Sequence, residues 1–277
     1  MALVSPRFIH KGRLVRAANG ATIREGSRGS HIHLVQMALI DLGYPMPRST
    51  GGRRYSPDGA FGNETKEKLL SFQESNNIAT SGVIDEDTML ALDHQCRAYT
   101  SRVTLHFRSI SLTNVPFARS LANAEKVYAQ YGINIRFGSG KSLMLSASEE
   151  QTFNQIDGEC DWAINTGEYN RLHRLGGSVS STDILVYFVR AFADADTLGC
   201  GGHATNRPAC TVASNASHWD TAHEVGHVLL TSSFSPVHMN NHRRNLMYPW
   251  SSNDPRIKVL TDSQINRIRL SNCCASI

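Results

Sequence analysis

Residues 223–227 read His-Glu-Val-Gly-His. On a helix, residues i and i+4 share a face, so His223 and His227 present two imidazoles to one cation. Glu224 then falls beside that cation, placed to work on a water rather than to ligate. Zinc in a hydrolase normally takes three protein ligands and keeps a further position for water. The segment from Val228 to Tyr248 must supply the third ligand, and it offers two histidines, His238 and His242. The chemistry expected of such a set is hydrolysis of a peptide or amide bond, with Zn2+ as cofactor. Glu224 would take the proton of the attacking water and pass it to the departing nitrogen, while the cation polarises the carbonyl oxygen.

These side chains need a scaffold, and residues 100–277 supply one. Arg102–Arg108 alternates as a strand does, Pro116–Tyr131 carries a helical apolar face ending at Gly132, and Ile133–Phe137 reads as a second strand. Asp183–Val189 is a nearly continuous apolar run, suited to a strand covered on both faces. Ala209–Ala213 is expected as an edge strand. Ser217–Leu230 is the helix carrying the metal motif, and Thr261–Leu270 a closing helix capped by Thr261 or Asp262. The fold class is α+β, with a mixed sheet and an active-site helix.

With this strand order, the His-Glu-x-x-His helix and Asn245-Leu-Met-Tyr-Pro249, the domain resembles the metzincins. In this metallopeptidase group a third histidine follows the helix and a methionine-bearing turn lies beneath the metal. The commonest spacing would put the third histidine at position 233, where this chain has Ser233, and the glycine at the helix exit is replaced by Leu230. A loop longer by five residues puts the ligand at His238, whose distance to Met247 is close to the group's usual one. The resemblance thus implies His223, His227 and His238 as zinc ligands, Glu224 as the catalytic residue and Met247 as an apolar floor. His242, beside Arg243 and Arg244, reads as a solvated loop residue.

Residues 22–96 read differently, as three short helices joined by turns. His31–Leu42 places Ile32, Val35, Leu39 and Leu42 at helical spacing, and Gly43-Tyr44-Pro45 stops it. A loop with Gly51-Gly52 and Ser56-Pro-Asp-Gly59 follows; Asn63 caps the next helix, with Leu69, Leu70 and Phe72 on its apolar face, and Asp85 starts the third, through Met89, Leu90 and Leu92. The residues Arg24–Gly29, Val35-Gln36, Leu39–Tyr44, Asp58–Gly62 with Thr65, Phe72-Gln73, and Gly82–Asp85 with Thr88 resemble the small helical peptidoglycan-binding domain of bacterial wall hydrolases. Ser81-Gly82 stands where that family usually has Asp-Gly. The resemblance implies peptidoglycan as a partner, while Phe61, Phe72, Gln36 and Gln73 are expected to hold the helical core together. Residues 1–21 are expected to form an irregular arm.

The chain of 277 residues is long enough for two domains, and 40% hydrophobic with 19% charged residues is ordinary globular composition. The net charge of +4 is too small, and too little clustered, to point to nucleic acid. No apolar run is long enough to span a bilayer. Residues 1–20 alternate basic and apolar residues and do not read as a Sec-type signal peptide. The six cysteines, in contrast, have no metal-site spacing and hint at disulfides and an oxidising destination. Cys200 to Cys210 is the simplest pairing, and Cys273 or Cys274 is expected to bridge to an earlier cysteine. Export by a route other than Sec reconciles these features, for instance as an effector that a contact-dependent secretion machine carries to the periplasm or cell exterior, with a carrier or cognate inhibitor as further partners.

Other residues weigh less. His203 lies in a loop that could line the cleft, and Asp220 is either a supporting hydrogen-bond partner or a helix-start acid. Ser180, Ser181, His173 and Asp183 contain triad residue types but no nucleophile elbow. Three functions are expected in order: a zinc metallopeptidase acting on protein or peptide substrates with the wall as its address, a peptidase or amidase acting on peptidoglycan itself, and a non-catalytic wall-binding protein.

Overall fold

The computed structural model describes residues 2–51, 56–158, 160–251 and 253–277; Gly52, in the loop expected after the first helix, lies outside them. The chain forms two units. The first comprises Met1–Thr100, Tyr128–Ile133 and Thr261–Asn266, and the second Ser101–Val127, Asn134–Leu260 and Arg267–Ile277.

The N-terminal unit holds α1 (Gly12–Ala17), α2 (Ser30–Asp41), α3 (Pro47–Thr50), α4 (Asn63–Ser75) and α5 (Glu86–Gln95). Residues 1–21, expected as an irregular arm, contain α1, with Phe8, Leu14 and Ala17 fully buried. Long-range contacts hold this segment, among them the pairing of the Arg7 guanidinium with Asp41 of α2 at 2.6 Å. The buried Asp93 carboxylate of α5 accepts the Val4 and Ser5 amides at 3.0 and 2.8 Å, and Ser5 Oγ donates to Cys96 O. None of these contacts leaves a local sequence pattern.

The middle of this unit is built twice on one plan. Gln36, fully buried on α2, accepts the Gly59 amide through Oε1 at 2.9 Å and donates from Nε2 to Ala60 O and Thr65 Oγ1. Gln73, fully buried on α4, likewise accepts the Gly82 amide at 2.9 Å and donates to Val83 O and Thr88 Oγ1. Each glutamine thus pins a glycine turn and the start of the following helix. Gly59 and Gly82 have φ of 66° and 65°, a conformation that costs other L-residues energy. Replacing Gln73 with Leu keeps the volume but strips partners from the Gly82 amide and Val83 carbonyl. We expect a loss of about 3 kcal/mol from this unit, read as an earlier urea transition of the full chain.

The second unit is built on the sheet β2-β1-β3-β5-β4, with β6 (Ala275–Ser276) pairing antiparallel to β1. β1 (Ser101–Ser109), α6 (Phe117–Ala129) and β2 (Ile133–Ser142) form the strand–helix–strand unit. α7 (Ala147–Thr152) and α8 (Gly167–Leu175) follow; neither is anticipated above, although Ser146 and Glu149 make a full capping box. β3 (Ile184–Val189) is buried at every residue and runs parallel to both β1 and β5. β4 (Gly199–Cys200) runs antiparallel to β5 (Ala209–Ala213), so β5, expected at the edge, is covered by a two-residue strand. α9 (Asp220–Leu230) packs on β5, β3 and β4, and α10 (Asp262–Arg269) closes the chain. The Thr261 hydroxyl caps α10 by accepting the Gln264 amide.

On the sheet face away from α9, Tyr187 and Leu185 pack with Tyr169 and Leu172 of α8. His173 is stacked on Tyr187 there, fully buried, with Nε2 3.0 Å from Thr211 Oγ1 and Nδ1 without a partner. Burial drives its pKa down to about 3, with His203 and Arg207 adding smaller repulsion. The unfolded chain binds this proton near pH 6.5 and the folded chain does not. The stability held by neutral His173 is therefore complete above pH 6.5 and lost progressively between pH 6.5 and 3. In urea titrations at pH 7 and 5, wild type should lose about 2 kcal/mol more than His173→Phe over that interval.

Candidate metal centre

The spacing within α9 puts His223 and His227 on one face, and the Nε2 atoms lie 3.0 Å apart. His238 Nε2 lies 3.1 Å from that of His227. Among the described residues, the group able to hold a metal ion is His223, His227 and His238, with donor atoms all within 4.8 Å of one another. Tetrahedral zinc with nitrogen ligands near 2.05 Å needs such atoms about 3.3 Å apart, close to the 3.0 and 3.1 Å that separate His227 Nε2 from the other two. His223 Nδ1 donates to Leu246 O at 2.7 Å, which fixes the tautomer and leaves the Nε2 lone pair facing the other two rings. Burial lowers the pKa of His223 to about 4 and that of His227 and His238 also, so the rings are held neutral, the form that ligates. Three neutral imidazole nitrogens aimed at one point fit a cation and are otherwise poorly paired.

Glu224 is buried beside them, and burial, with a smaller push from Asp220, raises its carboxyl well above the usual range. A carboxyl raised in this way binds a proton more readily than a solvated one, as a group that carries a proton must. The edge strand makes room for it. A Cβ at Gly199 would collide with the Glu224 carboxylate, and one at Gly201 with His227. Both glycines face α9, while Cys200 between them faces the other way.

His238 is positioned by the turn that follows it. The Met239 amide donates to Met247 O at 2.8 Å, the Asn245 side chain accepts the Met247 amide, and the Leu246 amide pairs with Val259 O. Met247 and Asn245 are fully buried. His242 is exposed and lies outside the three-histidine group; its amide donates to Met239 O. Without glycine at 230, α9 ends through Thr231 at φ 61°. The Arg267 guanidinium meets that end, donating to Leu230 O, Thr231 Oγ1 and Ser233 Oγ.

The centre opens into a cleft of about 440 Å3, lined among others by Trp162, Gly199, Asp220, Tyr248, Trp250 and Lys258. Asp220 accepts from the Ser217 amide and hydroxyl and from Ser251 Oγ, so it ties the helix start to the cleft wall. His203 pairs with Ala204 O and is not part of the lining. The triad-type residues are not assembled. His173 is in the core and Ser180 and Ser181 are exposed, whereas Asp183 is 3.1 Å from His106 Nε2, whose Nδ1 meets Ser139 Oγ at 2.8 Å.

The disulfide joins Cys160 to Cys200, with Cα atoms 5.6 Å apart, and not Cys200 to Cys210. Cys200 is in register with Thr211, so Cys210, one residue away, points from the opposite face of the sheet. Cys210, Cys96, Cys273 and Cys274 are free and buried, so the expected bridge from the C-terminal pair is absent. Cys160 and Trp162 are both at the cleft; no local sequence pattern marks them, since Cys160 meets its partner 40 residues away.

Residues 28–92 match the family described as "Putative peptidoglycan binding domain". Two Bacillus licheniformis proteins, "Probable N-acetylmuramoyl-L-alanine amidase" and "N-acetylmuramoyl-L-alanine amidase CwlL", are each 29% identical over 76 and 75 residues respectively. Each match covers 27% of this chain and 20% or 19% of the relative, so the chain spans about a fifth of the length of the curated relatives it matches. A crystal structure of a peptidoglycan-binding protein from Clostridioides difficile in complex with glutamine hydroxamate is 26% identical, over 28% of this chain and 43% of that one, with a TM-score of 0.24. No helix among the described residues is long and apolar enough to cross a membrane. The N-terminal part of this chain is a peptidoglycan-binding domain.

Proposed function

We propose that this chain is a zinc-dependent hydrolase that cleaves amide bonds of peptidoglycan, held on its substrate by the N-terminal domain. The observation that carries the reading is the convergence of three neutral imidazoles beside a buried glutamate in an open cleft, on a chain with a wall-binding domain. The two amidase relatives favour the same class of bond. His223, His227 and His238 would hold the zinc ion, which supplies Lewis acidity toward a carbonyl oxygen and brings the pKa of a water near neutrality. Glu224 takes the proton of the attacking water and returns it to the leaving nitrogen. Trp162 and Trp250 give the cleft apolar walls that displace water from the scissile bond, and the peptidoglycan-binding domain raises the local substrate concentration.

A second reading keeps the chemistry and changes the substrate to proteins, with the wall only as an address. The likeness of Asn245–Pro249 to the metzincin turn favours it. Digestion of isolated peptidoglycan and of casein by the zinc-loaded protein, read by mass spectrometry, separates the two. New muropeptides support the first reading; casein fragments beside intact peptidoglycan overturn it.

A further inference from the structure

We propose that Trp162 is a positioning residue for the metal centre, held against His227 by the Cys160–Cys200 disulfide, so that the centre is fully formed only when that bond is oxidised. The inference rests on the metal-centre reading above.

Three observations carry it. The Trp162 indole meets the His227 ring edge to face, with centroids 5.7 Å apart, and lines the cleft. Such a contact restricts rotation of a ligand ring and shields it from water, two ways in which surroundings raise metal affinity. Secondly, the segment carrying Trp162 lies between α7 and α8 and has little regular structure to hold it. Ile156 and Ile164 anchor it in the core, while the stretch that carries Trp162 is tied to β4 and the loop after it by an isolated parallel bridge between Ala163 and His203, with hydrogen bonds at 3.2 and 3.4 Å, and by the disulfide. Thirdly, the other end of the disulfide is Cys200, between the two glycines that lie on Glu224 and His227. The bond therefore ties the indole to the strand that backs the catalytic glutamate. Cys160 is exposed, so a reductant can reach it.

The chemistry is thiol–disulfide exchange. Two thiols, Cys160 and Cys200, each give up one proton and together two electrons to a disulfide oxidant, which leaves as two thiols. In a reducing compartment the reverse reaction releases the Cys160 end of the segment, and Trp162, two residues on, loses that restraint while Ile164 stays in the core. A centre of this kind is weak where it is made and tight where disulfides form.

The test is the rate at which the full-length protein, loaded with zinc, gives the metal up to a chromophoric chelator. Wild type, the double variant Cys160→Ser/Cys200→Ser, Trp162→Ala, Trp162→Phe and the triple variant Cys160→Ser/Cys200→Ser/Trp162→Ala are compared below their melting temperatures. Removing both sulfurs avoids new thiols that would themselves bind zinc. We expect release to rise about 10- to 100-fold in the double variant and in Trp162→Ala, with no further rise in the triple variant and near wild-type release from Trp162→Phe. Unchanged release from Trp162→Ala overturns the proposal. So does a double-variant effect that adds in full to that of Trp162→Ala, because the disulfide would then act by another path. If the double variant does not fold, Trp162→Ala and Trp162→Phe still decide the role of the indole, and wild type with Cys160 and Cys200 reduced by a phosphine, then alkylated, decides that of the bond. A wild type that holds no zinc removes the centre itself, which is a different failure.

Discussion

Glu224→Gln lowers kcat for amide hydrolysis by about 100- to 10,000-fold and leaves KM within a few-fold of wild type. Glutamine has nearly the shape of glutamate, so it fits the tight space that Gly199 leaves beside α9. It cannot accept the proton of the attacking water at neutral pH or carry one to the departing nitrogen. The imidazole set is untouched, so zinc content stays at the wild-type level, and peptidoglycan binding by residues 28–92 is unchanged. Steady-state kinetics with a soluble amide substrate, alongside a peptidoglycan pull-down, checks both halves. A variant with a tenth or more of the wild-type rate would show that Glu224 is not the proton carrier. Loss of pull-down together with activity would point to misfolding.

His227→Ala has the second large effect, on metal rather than on proton transfer. His227 stands between the other two ligands, with its Nε2 at 3.0 Å from that of His223 and 3.1 Å from that of His238. Removing it leaves two nitrogens and a cavity, and zinc affinity should fall by more than about 100-fold, beyond the loss typical of a partner that only orients a ligand. Hydrolysis falls with it and returns only in part at high zinc. The wild-type protein stripped with a chelator should behave the same way until zinc is restored. Full activity in the stripped protein would exclude a metal requirement.

Local patterns made much of this readable, and long-range contacts hid the rest. The face shared by His223 and His227 follows from helical spacing, and the interior position of β3 follows from its unbroken apolar run. Gln36 and Gln73 each lie within a helical segment of the sequence, yet their shared role as turn clamps emerges only with the hydrogen bonds, because the glycine each one pins is 23 residues away in one case and 9 in the other. That His238, and not His242, lies with His223 and His227 agrees with the spacing to Met247, and the Met239–Met247 hydrogen bond is its physical counterpart. The order of the N-terminal segment has no local signal because the residues before α1 are held by Asp93, far along the chain. The Cys200 partner was misread because proximity in sequence says nothing about which sheet face a cysteine uses. The end of α9 was opaque for a similar reason: the guanidinium that meets it comes from Arg267 of α10.

The most direct test is native mass spectrometry of the full chain equilibrated with zinc, for wild type, His238→Ala and His242→Ala. The centre described here predicts one tightly held zinc ion in wild type and in His242→Ala, and none that survives dialysis in His238→Ala. Zinc retained by His238→Ala but lost from His242→Ala, or no zinc on wild type, would contradict it.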